Sequence, residues 1–257
     1  MAVTALRTKP SLRDRVSEEE WQLRTDLAAL YRLVAKHGMT DGTATHLSAR
    51  LPGPDHHFLL NPHGLLFDQV TASNLVRVDM DGNVLEGEYP VNAAGFCIHS
   101  AVHMARPDVV CVAHTHTAAG MALSALPQGL MALTQKSMRY YGRTAYHDYE
   151  GIALDLDERD RLIADLGETN HTMILRNHGV LVMGPSVRLT WTRLYTLEKT
   201  MRVQLAAMAS GGTLLRPSEE LCRHVAAQWD KGDETYRQDG WESQLRLLDR
   251  ADPAWRH

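Results

Sequence analysis

Three histidines stand where their imidazole side chains could share one metal ion. His114 and His116 are two residues apart at the end of an apolar run, and His178 lies in the turn 176–179. Because alternate residues of a strand point to the same face, the rings of His114 and His116 are predicted to lie side by side. A pair of surface histidines is the alternative for that spacing alone. Three neutral imidazoles leave coordination positions open, which is typical of a catalytic metal site.

The elements that must position these histidines follow from capping residues and hydrophobic periodicity. Ser17 begins a helix that runs towards His37 and ends before Gly38, and the sequence Asp81-Gly82-Asn83 predicts a hairpin. Strands are predicted at 47–51, 58–60, 75–79, 84–86, 109–113, 172–175 and 180–183. Further helices are predicted at 92–106, 118–125, 157–166, 186–210 and from 218 onward. Strands interleaved with helices predict an α/β sheet layered between helices.

Composition narrows the classes of partner. The 257 residues have a formal net charge of -4, and the basic residues are spread along the chain. We therefore expect a small-molecule substrate, no nucleic acid and no membrane. No apolar run reaches the roughly 20 residues of a membrane span, and no secretory signal is recognised, so a cytoplasmic location is expected. Cys97, Cys111 and Cys222 are interpreted as reduced core residues.

Several short motifs occur together in a fixed order. They are Asp41-Gly42-Thr43-Ala44, Asn61-Pro62-His63-Gly64, Arg106-Pro107-Asp108, His114-Thr115-His116 and Asn177-His178-Gly179. In this combination the sequence resembles the class II aldolase and adducin head-domain family over residues 23–211. The resemblance implies a three-layer α/β/α sandwich with a mostly antiparallel central sheet, similar to L-fuculose-phosphate aldolase. It also implies a homotetramer and a divalent metal ion (zinc, manganese or iron) held by His114, His116 and His178.

On this basis the chain divides into an N-terminal arm (1–17), a class II aldolase/adducin-like domain (18–212) and a C-terminal helical extension (213–257). The sugar-phosphate aldolases of the family carry a catalytic Glu at the position of Gly95. Where they bind phosphate, this chain has His46, His63, Ala93 and Ala94. Both departures disfavour a phosphorylated sugar as substrate.

Candidate site residues follow from the resemblance and from helical spacing. His99 lies four residues after Gly95, on the same helical face, and is predicted to reach the space of the absent Glu as an acid/base or supporting group. A histidine buried for packing is the alternative. The family's catalytic Tyr aligns near Gln135, so the tyrosines that follow it are catalytic candidates: Tyr140 and Tyr141. The residues predicted to bind substrate are His46, His63, Gly64 and Arg176.

The predicted function is that of a divalent-metal-dependent carbon–carbon lyase. Its substrate would be a small, non-phosphorylated hydroxy or keto carboxylic acid. Decarboxylation and retro-aldol cleavage both pass through an enolate that a metal can stabilise. Retro-aldol cleavage also needs a base, so loss of the Glu favours decarboxylation. Two alternatives stay open: a three-histidine Fe(II) oxygenase, and a non-catalytic adducin-like module.

Overall fold

The structure is a computed structural model that describes residues 11–152, 156–235 and 240–257. Within these residues the α-helices are α1 (Glu18–Lys36), α2 (Ala93–Ala105), α3 (Ala118–Ser124), α4 (Glu158–Leu166), α5 (Val187–Ala209), α6 (Glu219–Thr235) and α7 (Trp241–Ala251). The strands are β1 (His46–Arg50), β2 (Phe58–Leu60), β3 (Val76–Val78), β4 (Val84–Glu86), β5 (Cys111–Thr115), β6 (Thr144–His147), β7 (Thr172–Leu175) and β8 (Gly179–Gly184).

The strands form one sheet with the order β4-β3-β2-β1-β5-β8-β7-β6. Every neighbouring pair is antiparallel except β6 and β7, which run parallel. The predicted mostly antiparallel sheet is therefore confirmed. The sequence-based prediction missed β6, because its four residues form no extended apolar run.

Helices cover both faces of the sheet. Along β5, Cys111 and Ala113 contact the core formed by α1, α3 and α5, whereas Val112 contacts the core beneath α2 and α4. This alternation follows from the two-residue period of a strand, and it buries both faces. The three-layer α/β/α architecture predicted from the sequence is confirmed.

Local capping explains where α1 and α2 begin. The hydroxyl of Ser17 accepts a hydrogen bond from the backbone N–H of Glu20 at 3.1 Å, as expected for an N-cap. Asn92 caps α2 in the same way, since its side-chain oxygen accepts from Gly95 N at 3.1 Å. The position of Gly95 in the first turn of α2 is thereby fixed.

The C-terminal helices pack onto the main body. Trp255 is fully buried, and its carbonyl accepts a hydrogen bond from Ala72 N at 3.0 Å. Trp241 and Leu245 of α7 belong to the same apolar core as α1. The predicted helical extension therefore shares the core of the domain. The first ten residues of the predicted arm lie outside the described residues.

In the described part of the chain, no helix is long and apolar enough to cross a membrane.

Candidate metal centre

Pairing of β5 with β8 brings the three predicted ligands to one end of the sheet. His114 lies on β5 opposite Leu181, and His178 occupies the turn that leads into β8. Asn177 precedes it with a φ of 55°, a left-handed conformation that Asn tolerates better than most residues. His116 follows β5 directly. The hairpin therefore places His178 beside the His-x-His pair, although it is 62 residues from His116 in sequence.

The three side chains converge through the same ring atom. Nε2 of His116 lies 2.7 Å from Nε2 of His114 and 2.9 Å from Nε2 of His178. One ligand atom from each of the three residues lies within 4.8 Å of the other two. Among the described residues, no other group of histidine, cysteine or carboxylate side chains shows such convergence.

The hydrogen-bond partners of Nδ1, the ring nitrogen that faces away from the other two histidines, determine which nitrogen carries the hydrogen. Nδ1 of His114 lies 3.1 Å from the carbonyl of Val180, and Nδ1 of His116 lies 3.1 Å from a carboxylate oxygen of Asp41. Both partners only accept, so both Nδ1 atoms must donate, and the Nε2 atoms of the neutral rings carry lone pairs. Two lone pairs at 2.7 Å repel unless a cation lies between them. The donor set therefore fits a divalent metal ion, with the outer-sphere contacts that metal-bound histidines typically have.

Burial favours the neutral rings that metal binding requires. It holds the pKa of His114 well below its usual range, and the neighbouring imidazoles of His46, His116 and His178 lower it further. Burial, followed by the charge of His116, lowers the pKa of His178 to about 4. Protons therefore compete poorly with a metal for these two nitrogens near neutral pH.

His46 occupies the space that the sequence assigned to His99. It is the first residue of β1, pairs with His114 across the sheet and is only 3 % exposed. Its ring stacks on that of His114 with centroids 4.9 Å apart. A Cβ atom at Gly95 would lie 2.6 Å from Cδ2 of His46, so the glycine is what leaves room for this ring. The strand predicted from residue 47 begins one residue earlier than expected, so His46 lies on β1 and not in the loop before it.

His99 is fully buried behind His46. Its Nε2 lies 2.8 Å from Nδ1 of His46, and its Nδ1 lies 2.5 Å from Oγ of Ser48. Ser48 Oγ also lies 2.8 Å from Nε2 of His103. Burial lowers the pKa of His103 to about 3 and holds that of His99 well below its usual range. We call the four residues His46, His99, Ser48 and His103 the buried histidine column. The prediction that the ring of His99 reaches the vacated space is therefore wrong.

An open groove of about 490 Å³ adjoins the turn that carries His178, and Asn177 of that turn is part of its lining. Tyr149 and Arg176 line it, and the ring of Tyr149 lies 6.3 Å from that of His178. The guanidinium of Arg176 donates to the carbonyl of Leu126 at 2.8 Å and lies 4.4 Å above the ring of Tyr146. These two contacts fix the position of the Arg176 side chain in the wall of the groove. Among the described residues, no carboxylate forms an ion pair with it.

His63 and Gly64 lie on the exposed loop after β2. Because Ser48 pairs with Leu60, this loop leaves the sheet at the same end as His46. Gly64 has a φ of 96°, which a side chain would disfavour. The topology places the loop at the end of the sheet where the three histidines lie, but within the described residues no hydrogen bond joins His63 to them.

Tyr140 and Tyr141 lie at the opposite end of the sheet in this chain. They precede β6, which runs parallel to β7, whereas Tyr149 follows β6 at the end nearest His178. The hydroxyl of Tyr140 is engaged, since it donates to the carbonyl of Arg193 at 2.7 Å. Neither tyrosine therefore lies beside the three histidines of its own chain, and their catalytic role stays a prediction.

Comparison with known proteins identifies the family. The model of the Class II Aldolase and Adducin N-terminal domain matches residues 25–205. A Caulobacter vibrioides protein, itself named provisionally as an aldolase class 2 protein, is 48% identical over 258 residues, or 99% of each chain. The chain therefore belongs to the class II aldolase and adducin family.

Solved structures agree with this assignment. The crystal structure of an aldolase II superfamily protein from Pseudomonas syringae is 48% identical, with a TM-score of 0.90 over 96% of this chain and 100% of that one. The L-fuculose 1-phosphate aldolase from Glaciozyma antarctica PI12 is 33% identical, with a TM-score of 0.74 over 86% of each chain. The fold predicted from the motifs is the one that these relatives have.

Sequence reasoning missed three participants at this end of the sheet. Asp41 is part of a motif in the sequence, but its contact with Nδ1 of His116 was not predicted. Metal-bound histidines generally need such an acceptor at their second ring nitrogen, which is a signal that could have pointed to it. Ser48 lies two residues after His46, on the same face of β1, which is a signal that the alternation rule could have provided. Tyr149 could be found only by predicting β6.

Proposed function

We propose that this chain is a divalent-metal-dependent carbon–carbon lyase that acts on a small, non-phosphorylated hydroxy or keto carboxylic acid. The observation that carries the proposal is the convergence of three Nε2 atoms. In two of the three rings, those of His114 and His116, Nδ1 lies within hydrogen-bond distance of an acceptor. Such a donor set supports a metal with open positions rather than a closed structural site.

In this proposal His114, His116 and His178 hold the ion, while Val180 and Asp41 orient two of the rings. A divalent ion bound there would act as a Lewis acid that stabilises the anion formed when a neighbouring carbon–carbon bond breaks. The groove beside His178 would take the remainder of the substrate, with Tyr149 and Arg176 in its wall.

The choice of substrate class rests on the side chains around the three histidines. Among the described residues, Asp41 is the only carboxylate that bonds to them, and it does so through an outer nitrogen. A base of the kind that retro-aldol cleavage needs is not supplied at Gly95, which favours decarboxylation. The Glaciozyma antarctica relative is named for a phosphorylated sugar. At the positions that bind phosphate in such aldolases this chain has His46 and His63, so we propose a non-phosphorylated acid.

Metal analysis combined with a substrate panel tests the proposal. Purified protein should contain about one divalent ion per chain, and the double variant His114→Ala/His116→Ala should lose it because two of three ligands are removed. Turnover is then measured on hydroxy and keto carboxylic acids and on sugar phosphates. Activity on the acids that disappears with chelation and returns with zinc, manganese or iron is expected. Active, metal-free wild-type protein would contradict the proposal.

The same experiment separates the alternatives. Substrate-dependent oxygen consumption that needs iron would support an oxygenase, whereas bound metal without turnover on the whole panel would support an adducin-like binding module. The family resemblance also supports a tetramer. Light scattering that finds an active monomer would contradict that part of the proposal.

A further inference from the structure

His116 lies in a two-residue link between β5 and α3. Because β5 ends at Thr115 and α3 begins at Ala118, the link consists of His116 and Thr117. The sheet fixes the first end of the link, since Thr115 pairs with Val180 of β8. The direction in which the ring of His116 leaves the link therefore depends on how Thr117 is held.

The contact of His116 with Asp41 gives its ring only part of the support that it needs. The side chain of Asp41 is 53% exposed, and an exposed carboxylate restrains a partner weakly. His114, in contrast, lies within β5, is fully buried and bonds to a backbone carbonyl. Of the two candidate ligands at this end of β5, His116 is the one that requires a further restraint.

Two hydrogen bonds hold the hydroxyl group of Thr117. It donates to Oε2 of Glu198 at 2.6 Å and accepts from the backbone N–H of Gly120 at 3.0 Å. A carboxylate only accepts, so the hydroxyl hydrogen points to Glu198 and a lone pair is left for Gly120. These bonds fix the side chain of Thr117 at the N-cap of α3. Glu198 thereby ties the link to α5.

Packing of α3 against α5 does not by itself explain why a carboxylate is buried at residue 198. Glu198 is 5% exposed, whereas its ion-pair partner Arg202 has 62% of its side chain exposed. Burial of a carboxylate is costly, and an ion pair with an exposed arginine offsets little of that cost. The distance of 2.6 Å to Thr117 is typical of a hydroxyl that donates to a charged carboxylate. The strongest hydrogen bond of Glu198 is therefore made to the residue that follows a candidate ligand.

We infer that Glu198 is a positioning residue for the metal centre, which acts through Thr117 to hold the ring of His116 towards the other two ligands. The inference rests on the proposed metal-binding function. A role in helix packing alone predicts that loss of Glu198 changes the stability of the fold and leaves metal affinity as it is. A positioning role predicts that metal affinity falls by more than stability explains.

Titration of metal-free protein with cobalt(II) measures this role without knowledge of the substrate. The visible spectrum of cobalt gives its affinity and reports the geometry of its ligands. Glu198→Met and Glu198→Gln have similar lengths, but only Gln keeps an acceptor for the hydroxyl group of Thr117. Glu198→Met should weaken cobalt binding about tenfold and change the spectrum, whereas Glu198→Gln should retain most of the affinity.

A second pair of variants changes the other partner of the same bond. Thr117→Val keeps the shape of the side chain but removes the hydroxyl group, and Thr117→Ser keeps the hydroxyl group. We expect Thr117→Val to weaken cobalt binding and Thr117→Ser to preserve it. Because Glu198 and Thr117 act through one hydrogen bond, the double variant Glu198→Met/Thr117→Val should lose no more affinity than the weaker-binding single variant. This pair also decides the question if Glu198→Met does not fold.

Gln204→Met is a matched control on the same helix. Gln204 is 1% exposed, accepts from the backbone N–H of Met131 at 2.8 Å and donates to the carbonyl of Gly129 at 2.8 Å. It therefore holds α5 to the segment after α3, not to the link that carries His116. Its loss should lower the Tm of the metal-free protein, because buried polar groups lose their partners, and should leave cobalt affinity unchanged.

The outcomes distinguish this inference from the proposed function. If wild-type protein fails to bind cobalt through the three histidines, the metal proposal falls and the inference with it. If cobalt binds with unchanged affinity in Glu198→Met and Thr117→Val, the inference alone is overturned. Equal losses of cobalt affinity in Glu198→Met and Gln204→Met would also overturn it, because any loss of packing on α5 would then have the same effect. Additive losses in the double variant would show that Glu198 does not act through Thr117.

Discussion

Gly95→Ala is expected to destabilise the protein, although alanine is a better helix former than glycine. The new Cβ would lie 2.6 Å from Cδ2 and 2.8 Å from Cγ of His46. Carbon atoms in contact prefer about 3.5 to 4.0 Å, so the ring must move by roughly 1 Å. It cannot move freely, because β1 pairs with β5 at this residue and the ring is bonded to His99 at 2.8 Å.

The magnitude follows from two opposing effects. Overpacking of a filled core costs about 1–3 kcal/mol. Replacing a helical glycine by alanine returns up to about 1 kcal/mol. The net loss is about 1–2 kcal/mol, which lowers the Tm by roughly 2–8 °C for a chain of this size. In a His46→Ala background the clash is absent. The same Gly95→Ala change should there raise stability by up to about 1 kcal/mol.

Thermal unfolding of the four proteins of this double-mutant cycle, with and without a chelator, measures both effects. The sign reversal is the critical result, since an effect of helix propensity alone gives the same sign in both backgrounds. If Gly95→Ala stabilised the protein equally with and without His46, the placement of His46 against α2 would be refuted. Gly95→Glu should show the same loss as Gly95→Ala or a greater one.

Three further predictions follow from the site. Asp41→Asn should weaken metal affinity about tenfold, the lower end of the range for loss of a hydrogen-bond partner of a metal-bound histidine, because the side chain of Asp41 is 53% exposed. Equilibrium competition with a chelator measures the affinity. An unchanged affinity would exclude Asp41 as the group that orients His116. Acid should destabilise the metal-free protein, because burial lowers the pKa of His103 to about 3 and the unfolded chain therefore binds a proton below about pH 6.5 that the folded chain excludes. Between these two pH values His103 should lower the free energy of unfolding by up to about 1.4 kcal/mol for each unit that the pH falls. Denaturant titrations at several pH values measure this slope, which His103→Asn should reduce. Tyr149→Phe should lower turnover while leaving Tm nearly unchanged, because Tyr149 lies beside His178. Tyr140→Phe should instead lower Tm, because it removes the hydrogen bond to the carbonyl of Arg193. The reverse pattern would contradict the positions assigned to the two tyrosines.

The parts of the site that could be predicted from the sequence are those set by local rules. The end of α1 before Gly38 and the hairpin around Asp81 follow from capping and turn chemistry, and the structure confirms α1, β3 and β4. His114 and His116 are close because of strand geometry alone. The third candidate ligand, His178, could be predicted because a turn residue between two apolar runs must lie at the rim of the sheet.

The errors have a common physical origin in non-local packing. β6 is short, and its position is set by parallel pairing with β7, which no local signal in 144–147 reveals. Without that strand, Tyr140 and Tyr149 could not be assigned to opposite ends of the sheet. The placement of His46 depends on a small residue facing a large one, Gly95 against an imidazole 49 positions away in sequence. Such complementarity is visible only once the helix and the strand are packed together.

The exchange of a carboxylate for a histidine also changes the charge of the proposed site. Three neutral imidazoles leave both charges of a divalent ion uncompensated, and the nearest bonded carboxylate, Asp41, is half exposed and faces an outer nitrogen. A carboxylate at residue 95 would cancel one of those charges, whereas the neutral ring of His46 cancels none. Coulomb attraction at partly buried sites is several-fold stronger than in water, so the balance must come from the ligand itself. An anion that chelates through a carboxylate supplies that charge at the ion. The same substitution therefore removes a base and strengthens the preference for an acidic substrate, which is why the decarboxylation of a hydroxy or keto acid agrees with this arrangement better than an aldol cleavage does.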